Sequence, residues 1–234
     1  MAYLEGKNLV ASYGVVPILH KCSVEVERGE LAVIVGPNGA GKSTVMRVLL
    51  GMLEASSGSV TLDGKDISML STRDRISHGL AFVPQTKNVF PSMTVEENLQ
   101  MGGFIRQDDI NQTIEEVYAL FPILYDKRKQ LAEQLSGGQR QQVAFGRAMM
   151  TKPSIMLLDE PTAGVSPIVM DEIFSNILDV RNAGMAVLMV EQNAQQALNI
   201  ADKGYVLVSG RNEHTGTGKE LINNPEVRKK FLGG

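Results

Sequence analysis

One short segment constrains this chain more than any other. Residues 36–43, Gly-Pro-Asn-Gly-Ala-Gly-Lys-Ser, fit the pattern G-x-x-x-x-G-K-[S/T] and follow the apolar run Leu31–Val35. Glycines tolerate positive φ and let backbone N–H groups approach an anion, and a helix that starts after the loop points its positive end at the same place. The segment therefore predicts a strand, a phosphate-binding loop and a helix that begins near Lys42.

The same pattern arises by chance in about one chain in a hundred, so a glycine-rich turn that binds nothing is the alternative. The order strand, loop, helix favours nucleotide binding. Lys42 is expected to reach the β- and γ-phosphates, and the Ser43 hydroxyl to ligate Mg²⁺. The residues predicted to bind the nucleotide here are Gly36, Pro37, Asn38, Gly39, Ala40, Gly41, Lys42, Ser43 and Thr44.

A second candidate element is the apolar run that ends in Asp159 and Glu160. At the carboxyl edge of a parallel sheet, such strand ends face the ligand crevice. Asp159 is expected to hold Mg²⁺ directly or through a water molecule, and Glu160 to act as the general base on the attacking water. Taken alone, the two carboxylates would indicate only a solvated turn; the phosphate loop upstream favours the catalytic interpretation.

The hydrophobic pattern predicts an α/β fold. Several runs are continuously apolar, as in strands buried on both faces of a parallel sheet, and helical patterns such as the one from Pro167 to Ala183 separate them. Near the N-terminus, alternation around Val24–Val26 and Val60–Leu62 predicts antiparallel strands. The middle of the chain offers three helical patterns, at residues 94–101, 111–120 and 139–150, which indicate an inserted helical lobe.

Composition narrows the class of protein. The chain has 234 residues, 43% hydrophobic and 21% charged, with a net charge of −3 and a single cysteine, Cys22. A disordered chain, a protein with a broad basic surface for nucleic acid, and a disulfide or zinc–cysteine scaffold are all disfavoured. The chain offers neither a signal peptide nor the roughly 20 apolar residues of a membrane span, so we expect a cytoplasmic protein. Apolar-face methionines are expected in the core: Met52, Met149, Met150 and Met189.

The segment that decides the family is Leu-Ser-Gly-Gly-Gln at residues 135–139. A capped helix start would explain Ser136 alone, but this string occurs by chance in fewer than about one chain in a thousand. Here the sequence resembles the ATP-binding-cassette (ABC) ATPases, whose signature is LSGGQ. The resemblance implies a P-loop NTPase core with a mixed sheet at 1–85 and 151–234, RecA-like with an antiparallel β part, and a helical signature subdomain at 86–150.

Other family motifs occur in the expected order. Tyr13 lies where the family stacks an aromatic ring on adenine. Gln85 matches the Q-loop, which joins the core to the helical lobe and attends the metal and the attacking water, and 163–166 match the D-loop. By resemblance, the signature residues Ser136, Gly137, Gly138 and Gln139 contact ATP held by another subunit. One chain carries one phosphate loop and one signature, so a homodimer or a heterodimer with a second ABC ATPase is implied.

The switch position departs from the family. Most members carry a histidine after the strand at residues 186–190, and this chain has Gln192. An amide still donates a hydrogen bond but carries no charge near pH 7. The resemblance therefore implies a switch role for Gln192, to which we assign no proton chemistry. Gln192 and the stretches 90–99 and 224–227 resemble the smaller of the two ATPases of bacterial branched-chain amino-acid importers.

This resemblance implies ATP and Mg²⁺ as ligands and an ATP-hydrolysing subunit driven by nucleotide-dependent dimerisation. It implies membrane permeases as partners, an indirect link to a solute-binding protein, and a position on the inner face of the membrane, without contact to nucleic acid. Uptake of urea or short amides, lipid or lipopolysaccharide export, and a soluble non-transport ABC ATPase remain alternatives. The second ATPase domain or long coiled coil expected of the soluble members is lacking in this sequence.

Overall fold

The structure is a computed structural model that describes residues 2–231. The strands are β1 (Leu4–Tyr13), β2 (Val16–Val26), β3 (Leu31–Val35), β4 (Ser57–Leu62), β5 (Lys65–Asp66), β6 (Leu80–Val83), β7 (Ile155–Asp159), β8 (Ala186–Val190), β9 (Lys203–Val208) and β10 (Arg211–Gly216). The helices are α1 (Lys42–Leu49), α2 (Thr72–Ser77), α3 (Val95–Gly102), α4 (Asn111–Leu120), α5 (Pro122–Asp126), α6 (Gly137–Met149), α7 (Pro167–Asn182), α8 (Ala194–Ile200), α9 (Gly218–Asn223) and α10 (Pro225–Phe231), with a 3₁₀ turn at Ala132–Gln134.

The larger sheet has the strand order β10-β9-β3-β8-β7-β6. Its strands pair in parallel from β9 to β6, and β10 adds an antiparallel edge. The continuously apolar runs form the interior strands, because a parallel sheet covered on both faces buries every side chain. The predicted α/β fold with a mixed sheet is confirmed.

The strand β3 shows how this sheet separates two cores. Leu31, Val33 and Val35 belong to a hydrophobic cluster that includes residues of α6, α7 and α8. Ala32 and Ile34 point to the other face and join a cluster with α1 and the smaller sheet. Successive side chains of a strand point to opposite faces of the sheet, so the five buried residues of β3 contribute to both hydrophobic cores.

The smaller sheet is antiparallel, with the order β2-β1-β4-β5. Leu4 lies opposite Val26 on one side and Leu62 on the other, which confirms the predicted N-terminal antiparallel part. Cys22 on β2 is fully buried, and this burial raises the pKa of its thiol to about 12. It is a small core residue.

The stretch 95–149 contains the helices α3 to α6. The helix predicted at 111–120 has those bounds, and α3 and α6 lie within two residues of their predicted starts. A short extra helix, α5, begins at Pro122, between the helices predicted at 111–120 and 139–150. Proline is well suited to a first helical position because it lacks an N–H group. The division of the chain at residues 86 and 150 stays a prediction.

Arg75 on α2 is buried and holds the end of α1. Its guanidinium Nη1 donates to the carbonyl oxygens of Val48 (2.7 Å) and Leu49 (2.8 Å). The other nitrogens donate to Ser68 and Leu70. The last carbonyls of a helix lack partners within it, so this one side chain satisfies several buried acceptors and fixes the helix that follows the phosphate loop.

We expect the substitution Arg75→Ala to lower the free energy of unfolding by about 3 kcal/mol, because buried carbonyls lose charge-assisted hydrogen bonds. Urea unfolding monitored by circular dichroism measures this loss. Arg73→Ala on the exposed face of the same helix is the control and should change stability by less than about 0.5 kcal/mol. Equal effects of the two substitutions would contradict this role of Arg75.

Candidate nucleotide-binding site

The glycine-rich loop connects β3 to α1 at the carboxyl edge of the parallel sheet. Gly41 has φ 98° and forms the N-cap of α1. Gly36 has φ 151°, and a side chain there would collide with the Leu207 carbonyl group of β9. The loop therefore needs glycine both for its backbone angles and for its contact with the neighbouring strand.

Lys42 lies inside this loop and is only 4% exposed. Its ammonium donates to the carbonyl oxygens of Gly36 (3.0 Å) and Pro37 (3.3 Å). Glu160 Oε1 is 4.0 Å from the same nitrogen. The positive charge is thus held between the loop backbone and the predicted general base, where an incoming phosphate would meet it.

Ser43 and Asp159 meet across the gap between α1 and β7. The Ser43 hydroxyl donates to Asp159 Oδ1 at 3.3 Å. Burial raises the pKa of the Asp159 carboxyl. The hydrogen bond from Ser43 and the positive charges of Arg47 and Lys42 lower this pKa, but their effect is smaller than that of burial. A hydroxyl and a desolvated carboxylate are hard oxygen ligands of the kind Mg²⁺ prefers, so these residues fit the ion.

Gln85 and Glu160 are also brought together. Gln85 Nε2 donates to Glu160 Oε2 at 3.1 Å, because β6 lies beside β7 and the residues after both strands share one edge. Glu160 has φ 45°, and its N–H group donates to the Val190 carbonyl (2.9 Å). The carboxylate is therefore aimed at the loop by an uncommon backbone conformation that a neighbouring strand supports.

Gln192 follows β8, the strand next to β7. Its side chain lines a cavity of about 210 Å³ beside the phosphate loop. The other lining residues are Gly36, Pro37, Asn38, Ala194, Lys230 and Phe231. The structure thus brings the predicted switch residue to the edge of the loop.

Tyr13 ends β1 and is 43% exposed. Arg47 on α1 donates to its hydroxyl at 3.2 Å, and the guanidinium carbon lies 5.9 Å from the ring centre. The ring is therefore oriented by the same helix that follows the phosphate loop. Its open position suits stacking against a base.

The signature segment begins α6. The Ser136 hydroxyl accepts a hydrogen bond from the Gln139 N–H group (3.2 Å), and Gln139 Oε1 accepts one from the Ser136 N–H group (3.1 Å). This reciprocal capping box fixes the first turn. Gly138 faces the Glu172 carboxylate of α7, the end of an exposed and flexible side chain that would have to shift if position 138 carried a Cβ atom.

Two residues beside the site were missed from the sequence. Arg47 orients Tyr13, and Glu191, which is 1% exposed, binds both Thr162 and Gln192. A glutamate directly after an apolar strand, next to the expected switch residue, was a usable signal for Glu191. Arg47 gave none, because its contact with Tyr13 spans 34 positions.

A glycine loop between a buried strand and a helix, with an aspartate at the end of a nearby parallel strand, defines a P-loop nucleoside triphosphatase. A profile of the ABC transporter family matches residues 19–163, more than half of the chain. The chain belongs to this family: it is an ATP-binding subunit that hydrolyses ATP.

Similarity to individual proteins extends over the full cassette. Identity is 45% with the high-affinity branched-chain amino acid transport ATP-binding protein BraG of Pseudomonas aeruginosa, over 95% of this chain and 96% of BraG. It is 38% with a probable LivF of Archaeoglobus fulgidus (97% of each chain) and 34% with the lipopolysaccharide export ATP-binding protein LptB of Haemophilus influenzae (100% and 98%). The crystal structure of the ADP conformation of an ABC transporter cassette has a TM-score of 0.90 at 30% identity, covering all of both chains.

Proposed function

We propose that this chain is the ATPase subunit of an importer for branched-chain amino acids. The observation that carries this proposal is the 45% identity to BraG across nearly the whole of both chains. The 38% identity to LivF supports the same substrate class. The sequence departure at Gln192 and the stretches 90–99 and 224–227 resemble the same subgroup.

In the proposed site the phosphate loop and Lys42 bind the phosphates, and Tyr13 stacks on adenine. Ser43 and Asp159 would hold Mg²⁺, with Gln85 beside them, and the ion would neutralise charge that develops on the phosphate oxygens. Glu160 takes the proton of the attacking water, and Gln85, at 3.1 Å from Glu160, orients that water. Gln192 donates a hydrogen bond to the γ-phosphate.

A complete site needs a second subunit in this proposal. Ser136, Gly137, Gly138 and Gln139 complete the site of a neighbouring ATPase, either a copy of this chain or a sister protein. ATP closes the dimer, and hydrolysis lets it open.

Within residues 2–231, each helix falls short of the length or apolarity that a bilayer crossing requires. The proposed position is peripheral, on the inner face of the membrane through permease partners that receive substrate from a solute-binding protein, by analogy with the importer ATPases that the chain resembles. The stretch from Gln85 to Val95 would transmit the motion. Phe90 within this stretch is 41% exposed, and Phe104, which follows α3, is 78% exposed; both are apolar side chains suited to contact with a partner helix.

Purification of the tagged full chain from membranes tests the proposal. Two distinct permeases and a second ATPase, together with ATP hydrolysis stimulated by a leucine-loaded binding protein, are the expected result. Lipopolysaccharide export is the second candidate, supported by 34% identity to LptB over the whole chain. Recovery of lipid-export permeases instead would favour it, and no membrane partner would contradict both.

We expect Tyr13→Ala to weaken ATP affinity about tenfold, because stacking of a base on an aromatic ring contributes about 1–3 kcal/mol. Fluorescence titration with a labelled ATP analogue measures it. Tyr13→Phe, which loses only the hydroxyl bond to Arg47, is the matched control and should bind within about threefold of the parent. Unchanged affinity in the alanine variant would exclude Tyr13 from the adenine site.

A further inference from the structure

Glu191 is a buried acid without a place in the proposed chemistry. It follows β8 and is 1% exposed. Its Oε1 accepts hydrogen bonds from the Thr162 N–H group (3.0 Å) and the Thr162 hydroxyl (2.8 Å). Its Oε2 accepts one from the Gln192 N–H group (3.0 Å). One carboxylate therefore joins two loops that come from different strands.

These three bonds suit a carboxylate, which only accepts hydrogen bonds. Burial raises the pKa of Glu191, and the bonds from Thr162 and Gln192 oppose that rise. A buried acid is costly unless its oxygens are hydrogen-bonded, and the bonds from Thr162 and Gln192 meet that condition for Glu191.

The two loops carry the proposed chemistry. Thr162 lies two residues after Glu160, and the Ala163 N–H group donates to the Glu160 carbonyl (3.1 Å), closing a turn. The Glu160 N–H group in turn donates to Val190, the residue before Glu191. Two sets of hydrogen bonds therefore position Glu160 and Gln192 relative to each other. One is the backbone bond between Glu160 and Val190, and the other is formed by the Glu191 carboxylate with Thr162 and Gln192.

We propose that Glu191 is a positioning residue that holds the turn at 160–163 and Gln192 in their working arrangement for ATP hydrolysis. The proposal rests on the roles assigned above to Glu160 and Gln192. It assigns Glu191 no contact with the nucleotide, so its loss should affect turnover and not ATP binding.

The experiment compares the full-length chain with Glu191→Ala, Thr162→Val and the double variant. We expect kcat to fall about 100-fold in Glu191→Ala and about tenfold in Thr162→Val, since small displacements of reacting groups have effects of this size. The KM for ATP and the stoichiometry of analogue binding should stay within about twofold. The double variant should be no slower than Glu191→Ala, because coupled residues are not additive.

Asn176→Ala is the matched control, since Asn176 is a buried polar residue of α7 bonded to Gln142 (3.2 Å). It should lower the melting temperature and leave kcat within twofold. An unchanged kcat in Glu191→Ala, or equal losses of kcat and binding stoichiometry, would overturn the proposal. If Glu191→Ala does not fold, Thr162→Val decides, and parent activity there overturns it. A Glu160→Gln variant in the same assay distinguishes failure of the proposed function from failure of the positioning role. If Glu160→Gln is inactive while Glu191→Ala is fully active, Glu160 keeps its proposed role and only the positioning role of Glu191 is refuted.

Discussion

Glu160→Gln is expected to lower kcat about a thousandfold and leave ATP binding intact. The amide is nearly the same size as the carboxylate, and its oxygen can still accept the hydrogen bond from Gln85, which is 3.1 Å long in the parent protein. It does not accept a proton, and loss of a general base lowers rates by about 10²–10⁴-fold. Loss of a negative charge 4.0 Å from Lys42 also removes repulsion from the ATP phosphates. Phosphate release and analogue titration measure the two effects.

The same variant should accumulate as a dimer when ATP is added, because hydrolysis no longer opens the closed state. Size-exclusion chromatography with and without ATP reports this. Glu115→Gln removes an exposed carboxylate from α4 and should keep the parent rate and the parent elution volume. Hydrolysis at the parent rate in Glu160→Gln would remove Glu160 from the role of base.

Lys42→Ala is expected to weaken ATP affinity by about 10- to 100-fold and to reduce turnover with it. The bonds to the carbonyl oxygens of Gly36 and Pro37 hold the Lys42 ammonium inside the loop. Among residues 2–231, which the structure describes, it is the one charged group held there in this way. A charge-assisted hydrogen bond to phosphate contributes about 1.5–3 kcal/mol, which corresponds to this loss. Isothermal titration with ATP at fixed Mg²⁺ gives the affinity.

Lys42→Ala without nucleotide should still unfold in one cooperative transition, so that the affinity loss cannot be assigned to misfolding. A small decrease in melting temperature is expected, because the carbonyl oxygens of Gly36 and Pro37 lose their hydrogen bonds to the ammonium. Lys129→Ala, at an exposed position of the helical stretch, is the charge-matched control and should bind ATP as the parent does. Equal affinities for parent and Lys42→Ala would refute the assignment of the phosphate loop.

Local signals were sufficient for the elements that carry their own pattern. The phosphate loop follows from residues 36–43, and the doubly buried strands follow from continuous apolar runs such as β3 and β8. The strand β6 was not predicted, because an apolar run of only four residues without polar alternation gives no period to recognise. Its absence from the prediction also hid the contact of Gln85 with Glu160, which depends on β6 lying next to β7.

The prediction that Met52 is a core residue was wrong, and it is 54% exposed. The helix α1 ends at Leu49, and Gly51 turns the chain with φ 72°, so the helical phase that would bury position 52 does not continue. Met150 and Met189 are fully buried and Met149 partly buried, as predicted. Periodicity predicts a buried face only as far as the element that carries it.

The capping of α6 has a consequence for recognition between subunits. The Ser136 oxygen already accepts a bond from Gln139 within its own chain, and its hydroxyl hydrogen takes no part in that bond. In the proposed closed dimer that hydrogen is free to point at the neighbour's γ-phosphate. The group that reads the neighbour's nucleotide is then held in place before the nucleotide arrives, so the entropic cost of orienting it belongs to folding and not to each round of transport.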